Sequence, residues 1–182
     1  ELARRVPQVN AEHIVFCGVY FMGESAALLA KPGQAVYLPS MDADCLMSRM
    51  TPAPLARKVL EQLYALGRKV IPLAYVNTDL ALKAVCTSAN AGIMLQWAMK
   101  QGDGVLFLPD MHLGNNTATA LGIAPHERHV LRIGSKGLVE PETQALDRKL
   151  LLWPGCCAIH ARFDPDDVRE MRAAHPGCRV IA

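Results

Sequence analysis

Aromatic side chains are scarce in this sequence. Only 5% of its 182 residues are Phe, Trp or Tyr, although 51% are hydrophobic. The core must therefore be built mainly from aliphatic residues and Met. No apolar run reaches the roughly 18 residues that a membrane-spanning helix needs, and the opening residues, ELARRVPQVNAEH, lack the apolar stretch of a signal peptide. We expect a globular protein without membrane association.

Two further patterns are missing, and each absence argues against a class of function. The cysteines lie at positions 17, 45, 86, 156, 157 and 178, without the C-x-x-C pair of a compact zinc ribbon. Their wide spacing does not suit a small disulfide-stabilised secreted domain, so we expect reduced thiols and a cytoplasmic location. The net charge is only +2. No Lys/Arg cluster alternates with aromatic residues, and we expect no nucleic-acid partner.

Strand-like and helix-like segments alternate along the chain. Apolar runs typical of buried strands are HIVFCGVYF, AVYLP, KVIPLAYV, GVLFLP and KLLLWPG. Segments typical of helices are GESAALLA, which opens with Glu24, APLARKVLEQLYAL, which Gly67 ends, NAGIMLQWAMKQG and DPDDVREMRAAHPG. This alternation predicts an α/β fold with a parallel sheet. The polar segment 122–149, which contains scattered Gly and Pro, is expected to be a long loop.

Polar or thiol side chains follow several of the predicted strands. They include Cys45, the pair Tyr75 and Asn77, the pair Thr87 and Ser88, the pair Asp110 and His112, and the run WPGCCAIH. Each has an ordinary structural explanation when taken alone: a helix cap, a turn residue, a bond to loop backbone or a packed thiol. The carboxyl ends of parallel strands, however, are where α/β sheets carry their ligand sites. Together these residues predict one shared site.

The same segments, taken in order, resemble the quinolinate synthase family. The matching motifs are GVYFMGESAALL, LPSMDADC, YVNTDLALKA, CTSANA, LPDMHLG and LWPGCCAIHARF. The resemblance implies an α/β fold of repeated three-layer α/β/α units, with short parallel sheets arranged about a pseudo-threefold axis. On this basis 1–50 is the end of a first unit, 51–158 a second unit with an insertion at about 122–149, and 159–182 the start of a third. A faint internal echo between AVYLPSM and VLFLPDM also indicates repeated units.

The resemblance implies an activity as well as a fold. Members of the family condense iminoaspartate with dihydroxyacetone phosphate to quinolinate, for NAD biosynthesis, using a [4Fe–4S] cluster whose open iron acts as a Lewis acid. Cys45 and Cys157 match cluster ligands, Tyr75 matches a catalytic residue, and Asn77 and Ser88 match substrate-binding residues. The implied partners are these small-molecule substrates and, functionally, the enzyme that supplies iminoaspartate.

The cluster could not be completed by this sequence alone. The third cluster cysteine of the family, and its early His and Tyr, match nothing here, and the stretch from Lys83 to Thr87 is shorter than in the family. Because the sequence also begins without Met and ends on the strand-like CRVIA, we expect it to be a fragment of a longer polypeptide.

Two other readings stay open at this point. One is a truncated or degenerate α/β module that binds a small phosphorylated or carboxylated ligand through Asn77, Ser88 and neighbouring hydroxyls, without catalysis. The other is a zinc site formed by Cys156, Cys157 and His160, although adjacent cysteines are awkward joint ligands.

Overall fold

The computed structural model describes residues 2–78, 85–139, 146–162 and 164–179. Its strands are β1 (His13–Val15), β2 (Ala35–Tyr37), β3 (Val70–Tyr75), β4 (Val85–Cys86), β5 (Gly104–Leu108), β6 (Arg128–Val130), β7 (Ile133–Gly134), β8 (Gly137–Leu138) and β9 (Leu150–Leu152). Its α-helices are α1 (Tyr20–Leu29), α2 (Leu46–Arg49), α3 (Ala53–Ala65), α4 (Ala91–Met99), α5 (Met111–Ala120) and α6 (Pro165–Ala174). Short 3₁₀ turns cover Leu2–Gln8, Pro125–Glu127 and His160–Arg162. None of the described helices has the length and apolar character needed to cross a membrane.

The main sheet is parallel throughout. Its strand order is β4-β3-β5-β9-β6, and every neighbouring pair runs in the same direction. The central strand β5 is buried at all of its positions, as expected for a strand covered by helices on both faces. The α/β fold with a parallel sheet, predicted from the alternation of apolar runs and helical segments, is confirmed.

Helices cover the two faces of this sheet. On one face α3 packs its apolar stripe, including Val59 and Leu63, against Leu106 and Leu151. On the other face α4 and α5 enclose Phe107 and its neighbours. The chain leaves α3 at Gly67, whose φ of 79° is the left-handed conformation that ends helices, as the sequence predicts.

The first part of the chain forms a separate, smaller sheet. β1 and β2 pair in parallel, and α1 covers one face around Val6, Phe16 and Ala26. The prediction of a buried strand over HIVFCGVYF is wrong in two respects. The strand ends at Val15, which is 67% exposed, and α1 already begins at Tyr20 rather than at Glu24. A two-stranded sheet covered on one face cannot bury both faces of its strands.

The prediction of a long loop over 122–149 is also wrong in part. β6 pairs with β9 as the edge strand of the main sheet, and β7 and β8 form an antiparallel hairpin. Polar residues are tolerated in β6 because an edge strand is only half covered. Residues 140–145 of this segment lie outside the described residues. The division of the chain into units at 50 and 158 stays a prediction.

Candidate functional site

A cavity of about 390 Å³ lies where the strands of the main sheet end. Tyr75 is the last residue of β3, Ser88 follows β4, Asp110 follows β5 and Cys157 follows β9. This space is here called cavity A. The titratable or nucleophilic side chains that line it are Tyr75, Ser88, Asp110, His112, Cys157 and His160. The polar strand ends that the sequence predicts to share a site are therefore largely brought together, at the edge of the sheet where α/β proteins bind ligands.

Asp110 ties cavity A to the framework of the sheet. Its buried carboxylate accepts the backbone N–H groups of His112 and Leu113 at 2.7 and 3.0 Å, which caps α5. Its second oxygen accepts the backbone N–H of Cys157 at 3.2 Å. One side chain thus satisfies the free amides of a helix start and fixes the backbone that carries Cys157.

The turn before Cys157 requires its glycine. The carbonyl of Gly155 accepts the N–H of Met111 at 2.9 Å, and a Cβ at position 155 would lie only 2.4 Å from the carbonyl oxygen of Pro109. The indole N–H of Trp153, at the start of the same turn, donates to the carbonyl of Met50 at 2.8 Å. The Trp-Pro-Gly sequence therefore holds the backbone of β9 against both β5 and the segment that contains Cys45.

Cys45 contacts Asn77 and lies in a segment that borders cavity A. The side-chain amide of Asn77 donates to its sulfur at 3.4 Å. Two residues later Met47 lines cavity A, and Met50 at the end of α2 accepts the bond from Trp153. The segment with Cys45 is therefore packed next to the cavity that Cys157 lines.

Asn77 and Ser88 do not line the same space. Asn77 borders a second cavity of about 500 Å³, here called cavity B, between α1, the segment around α2 and the turn after β3. The polar residues of cavity B are Tyr20, Glu24, Asp44, Ser48, Arg49, Thr51, Asn77 and Thr78. The structure therefore brings Tyr75, Ser88 and Cys157 together in cavity A, whereas Asn77 contacts Cys45 and faces cavity B.

The six cysteines are all free thiols, but their surroundings differ. Burial raises the pKa of Cys86 to about 11, an effect that the bond from its own backbone N–H offsets only in part. Cys86 is therefore a neutral thiol at neutral pH and a poor ligand. Cys45 and Cys157 are only partly buried.

Comparison with known proteins identifies the family. A sequence profile described as quinolinate synthetase A protein matches residues 1–182. The chain belongs to this family. The membership confirms the resemblance seen in the motifs.

Curated relatives within the quinolinate synthetase A family agree with the profile. The quinolinate synthase of Acidobacterium capsulatum is 38% identical over 192 residues, covering 100% of this chain and 52% of the relative. That of Bacillus pumilus is 41% identical over 187 residues, covering 93% and 50%. That of Halobacterium salinarum is 37% identical over 191 residues, covering 100% and 50%. The chain thus spans about half the length of the curated relatives it matches.

The donor atoms present suit an iron–sulfur cluster of the kind that the quinolinate synthase resemblance implies. Cys45 and Cys157 offer thiols, which are the ligands iron–sulfur clusters prefer, and the amide of Asn77 already donates to one of these sulfurs. Within the described part of the chain, however, no three His, Cys, Asp or Glu side chains are grouped so as to hold a metal ion. The donors therefore fit part of a ligand set. The same finding gives no support to a zinc site at Cys156, Cys157 and His160.

His112 and His160 belong to the strand-end segments that the sequence predicts to share a site, and both line cavity A. Two further residues that line this cavity, Met47 and Asn116, were not predicted to belong to the site. Met47 carried no usable signal in the sequence, because a Met beside an apolar run is most often a core residue. Thr87 does not cap α4. Its N–H and hydroxyl donate to Asn90 at 2.6 and 3.0 Å.

Proposed function

We propose that the protein containing this chain is a quinolinate synthase, which condenses iminoaspartate with dihydroxyacetone phosphate to quinolinate in NAD biosynthesis. The observation that carries the proposal is the meeting of Tyr75, Ser88 and Cys157 in one cavity at the end of the parallel sheet, in a chain of the quinolinate synthetase A family. Because the chain spans about half of its relatives, the remainder of the site would come from outside it. The repeated units about a pseudo-threefold axis belong to the same proposal.

Within this proposal Cys45 and Cys157 are two ligands of a [4Fe–4S] cluster, and the third ligand lies outside the chain. The cluster, when bound, supplies an open iron that acts as a Lewis acid on the substrate. The contact from Asn77 to Cys45 at 3.4 Å orients one ligand, and the bond from the Cys157 N–H to Asp110 fixes the backbone of the other. Such supporting contacts set ligand geometry in metal sites.

The polar side chains of cavity A would bind the substrates and transfer protons. The phenol of Tyr75, which lines the cavity, would exchange a proton with the bound substrate. The hydroxyl of Ser88 would donate to a substrate carboxylate on the same wall. Asn77 contacts Cys45 and lines cavity B. Its role as a substrate-binding residue, which the family motif implies, stays a prediction.

The cellular setting follows from the same chemistry. All six cysteines are free, which suits the reducing cytoplasm that we propose as the location. The iminoaspartate must be delivered by another enzyme, because imines hydrolyse in water. We therefore propose a functional link to the enzyme that produces it.

The decisive experiment compares two adjacent cysteines in the full-length protein. Wild type, Cys157→Ser and Cys156→Ser are purified without oxygen, and iron, acid-labile sulfide, visible absorbance and quinolinate formation are measured. We expect Cys157→Ser to lose the brown absorbance, most of the iron and the activity, whereas Cys156→Ser retains all three. Equal loss in both variants, or full iron in Cys157→Ser, would contradict the ligand assignment. A colourless wild-type protein that binds phosphates or carboxylates without forming quinolinate would support the non-catalytic module instead.

A further inference from the structure

Asp110 is a buried carboxylate without a cationic partner. The residue is 7% exposed, and within the described part of the chain no Lys, Arg or His forms an ion pair with it. Burying a charge without a partner is expensive. An asparagine would cap a helix equally well and would carry no charge. The cap of α5 alone therefore does not explain why this position holds an aspartate.

The two carboxylate oxygens of Asp110 bind different parts of the fold. Oδ1 accepts the N–H groups of His112 and Leu113 at 2.7 and 3.0 Å, at the start of α5. Oδ2 accepts the N–H of Cys157 at 3.2 Å, across 47 residues of sequence. These donors need acceptors on both oxygens. The side chain of asparagine has one oxygen and one NH₂ group, so it could hold the start of α5 or Cys157, but not both.

The contact with Asp110 is one of several that fix the backbone at Cys157. The carbonyl of Cys157 accepts the N–H of Ala161 at 3.0 Å, next to the 3₁₀ turn His160–Arg162. The preceding turn is held by a parallel bridge between Asp110 and Gly155. Both polar backbone groups of Cys157 are thus bonded to other groups of the chain itself. These bonds leave the side chain of Cys157 as its main freedom.

We propose that Asp110 is a positioning residue for Cys157, which holds this thiol at cavity A before a cluster binds and ties it to the wall that α5 forms. The inference rests on the proposed function, because it takes Cys157 as a cluster ligand, and it adds the residue that prepares this ligand. Restricting the free thiol in advance reduces the ordering that must accompany iron binding. Supporting contacts of this kind affect metal affinity strongly.

Asp110→Asn separates positioning from capping. Its oxygen can keep the two bonds at the start of α5, whereas its NH₂ group faces the N–H of Cys157, so that bond is lost. The reduced, cluster-free full-length protein is treated with iodoacetamide. Mass spectrometry follows the modification of Cys157 and Cys45, and fragment spectra distinguish Cys157 from its neighbour. We expect Cys157 to react about tenfold faster than in wild type, the effect of one hydrogen bond to a charged group, and Cys45 to react at its wild-type rate.

Asp164→Asn is the matched control. Asp164 caps α6 by accepting the N–H of Asp166 at 2.9 Å, so the same change of side chain is made at a helix start that is not bonded to a cysteine. We expect both modification rates to stay at their wild-type values. If Asp110→Asn does not fold, Asp110→Ser replaces it with the same expectations, because a serine hydroxyl caps a helix but is too short to hold Cys157 as well.

The second measurement uses the cluster-loaded full-length protein, kept without oxygen, and follows the rate at which a chelator removes iron. We expect iron loss about tenfold faster in Asp110→Asn than in wild type or Asp164→Asn. Unchanged modification of Cys157 would make Asp110 a helix cap only and would overturn the inference. Equal acceleration at Cys45 and Cys157, or unchanged iron loss, would overturn it too.

Failure of this inference can be told apart from failure of the proposed function. A wild-type protein that holds no iron and forms no quinolinate would contradict the proposed function, whereas the modification test needs no cluster and would still decide whether Asp110 holds Cys157. Unchanged modification in Asp110→Asn, with a wild-type protein that forms quinolinate, would contradict the positioning role alone.

Discussion

The two parallel sheets of the molecule are covered very differently. In the five-stranded sheet, helices lie on both faces and every residue of β5 is buried. In the two-stranded sheet, α1 covers one face only, and both end residues of β1 are exposed. Both sheets are built from apolar runs of similar character. The difference shows that burial of a strand depends on the layers around it as much as on its own residues.

The candidate site draws on both regions. Cys45 follows the small sheet, whereas Tyr75 and Cys157 follow strands of the large one. Hydrogen bonds from Asn77 to Cys45 and from Trp153 to Met50 join the regions at this border. The well-covered sheet therefore provides a fixed framework, and the less covered region supplies a cysteine that must be held against it.

The sharpest contrast between the sheets comes from one substitution made in each. Val105→Ala removes two methyl groups from a fully buried position of β5, and we expect it to lower the free energy of unfolding by about 2–3 kcal/mol. Val15→Ala in β1 changes a side chain that is 67% exposed, so we expect a change within about 0.5 kcal/mol. Chemical denaturation of both variants measures the difference.

Similar losses of unfolding free energy in the Val105 and Val15 variants would contradict this contrast between the sheets. They would mean that Val15 is covered in the protein by something outside the described residues, and that the small sheet is as much a core element as the large one.

The next largest effect on stability is expected from the hydrogen bond between Trp153 and Met50, which joins the two regions. Trp153→Phe keeps a large aromatic ring but removes the N–H that donates to Met50. We expect the free energy of unfolding to fall by about 1–2 kcal/mol, because the Met50 carbonyl loses its partner. Hydrogen exchange should become faster in 44–51 and stay unchanged in β3 and β5. Uniformly faster exchange would show that Trp153 supports the large sheet rather than the border.

Sequence reasoning located the buried strands β3, β5 and β9 of the large sheet, but it overestimated the burial of β1 and β2 and missed elements that depend on partners. Helix α5, with the sequence MHLGNNTATA, is poor in helix-forming residues. It forms because Asp110 caps it and because Gly114 lets it approach Leu152, where a Cβ would lie 2.5 Å from the Leu side chain. The polar strand β6 was missed for a related reason, since its place at the sheet edge is set by β9.

The meeting of the strand ends at one edge of the sheet was easier to predict than the division of the polar residues between two cavities. Tyr75 and Asn77 are two residues apart, a spacing that would place them on the same face of a continuous strand. The strand ends at Tyr75, however, and the chain turns at once, with the N–H of Thr78 bonded to the carbonyl of Tyr75 at 2.9 Å. This turn sends Asn77 to cavity B. Which cavity Asn77 lines is therefore decided by the local backbone conformation, which the motif does not specify.

The smallest expected effect on stability concerns β6, the edge strand of the large sheet. The carboxylate of Glu127, just before β6, accepts hydrogen bonds from the Lys149 ammonium at 2.6 Å and from the Ala124 N–H at 3.0 Å. These contacts, that from Lys149 first, lower the pKa of Glu127. A lowered folded-state pKa stabilises the fold above the ordinary carboxyl pKa of roughly 4.3, and this gain is lost as the pH falls through the folded value.

We therefore expect Glu127→Gln to melt slightly earlier than wild type at neutral pH, with the gap closing as the pH falls below the ordinary carboxyl pKa. Glu61→Gln, on the exposed side of α3, is the matched control and should follow wild type throughout. Melting temperatures across this pH range measure the effect. A gap that persists in acid would mean that Glu127 acts through packing rather than charge. The edge strand would then be held by the same kind of cover as the centre of the sheet.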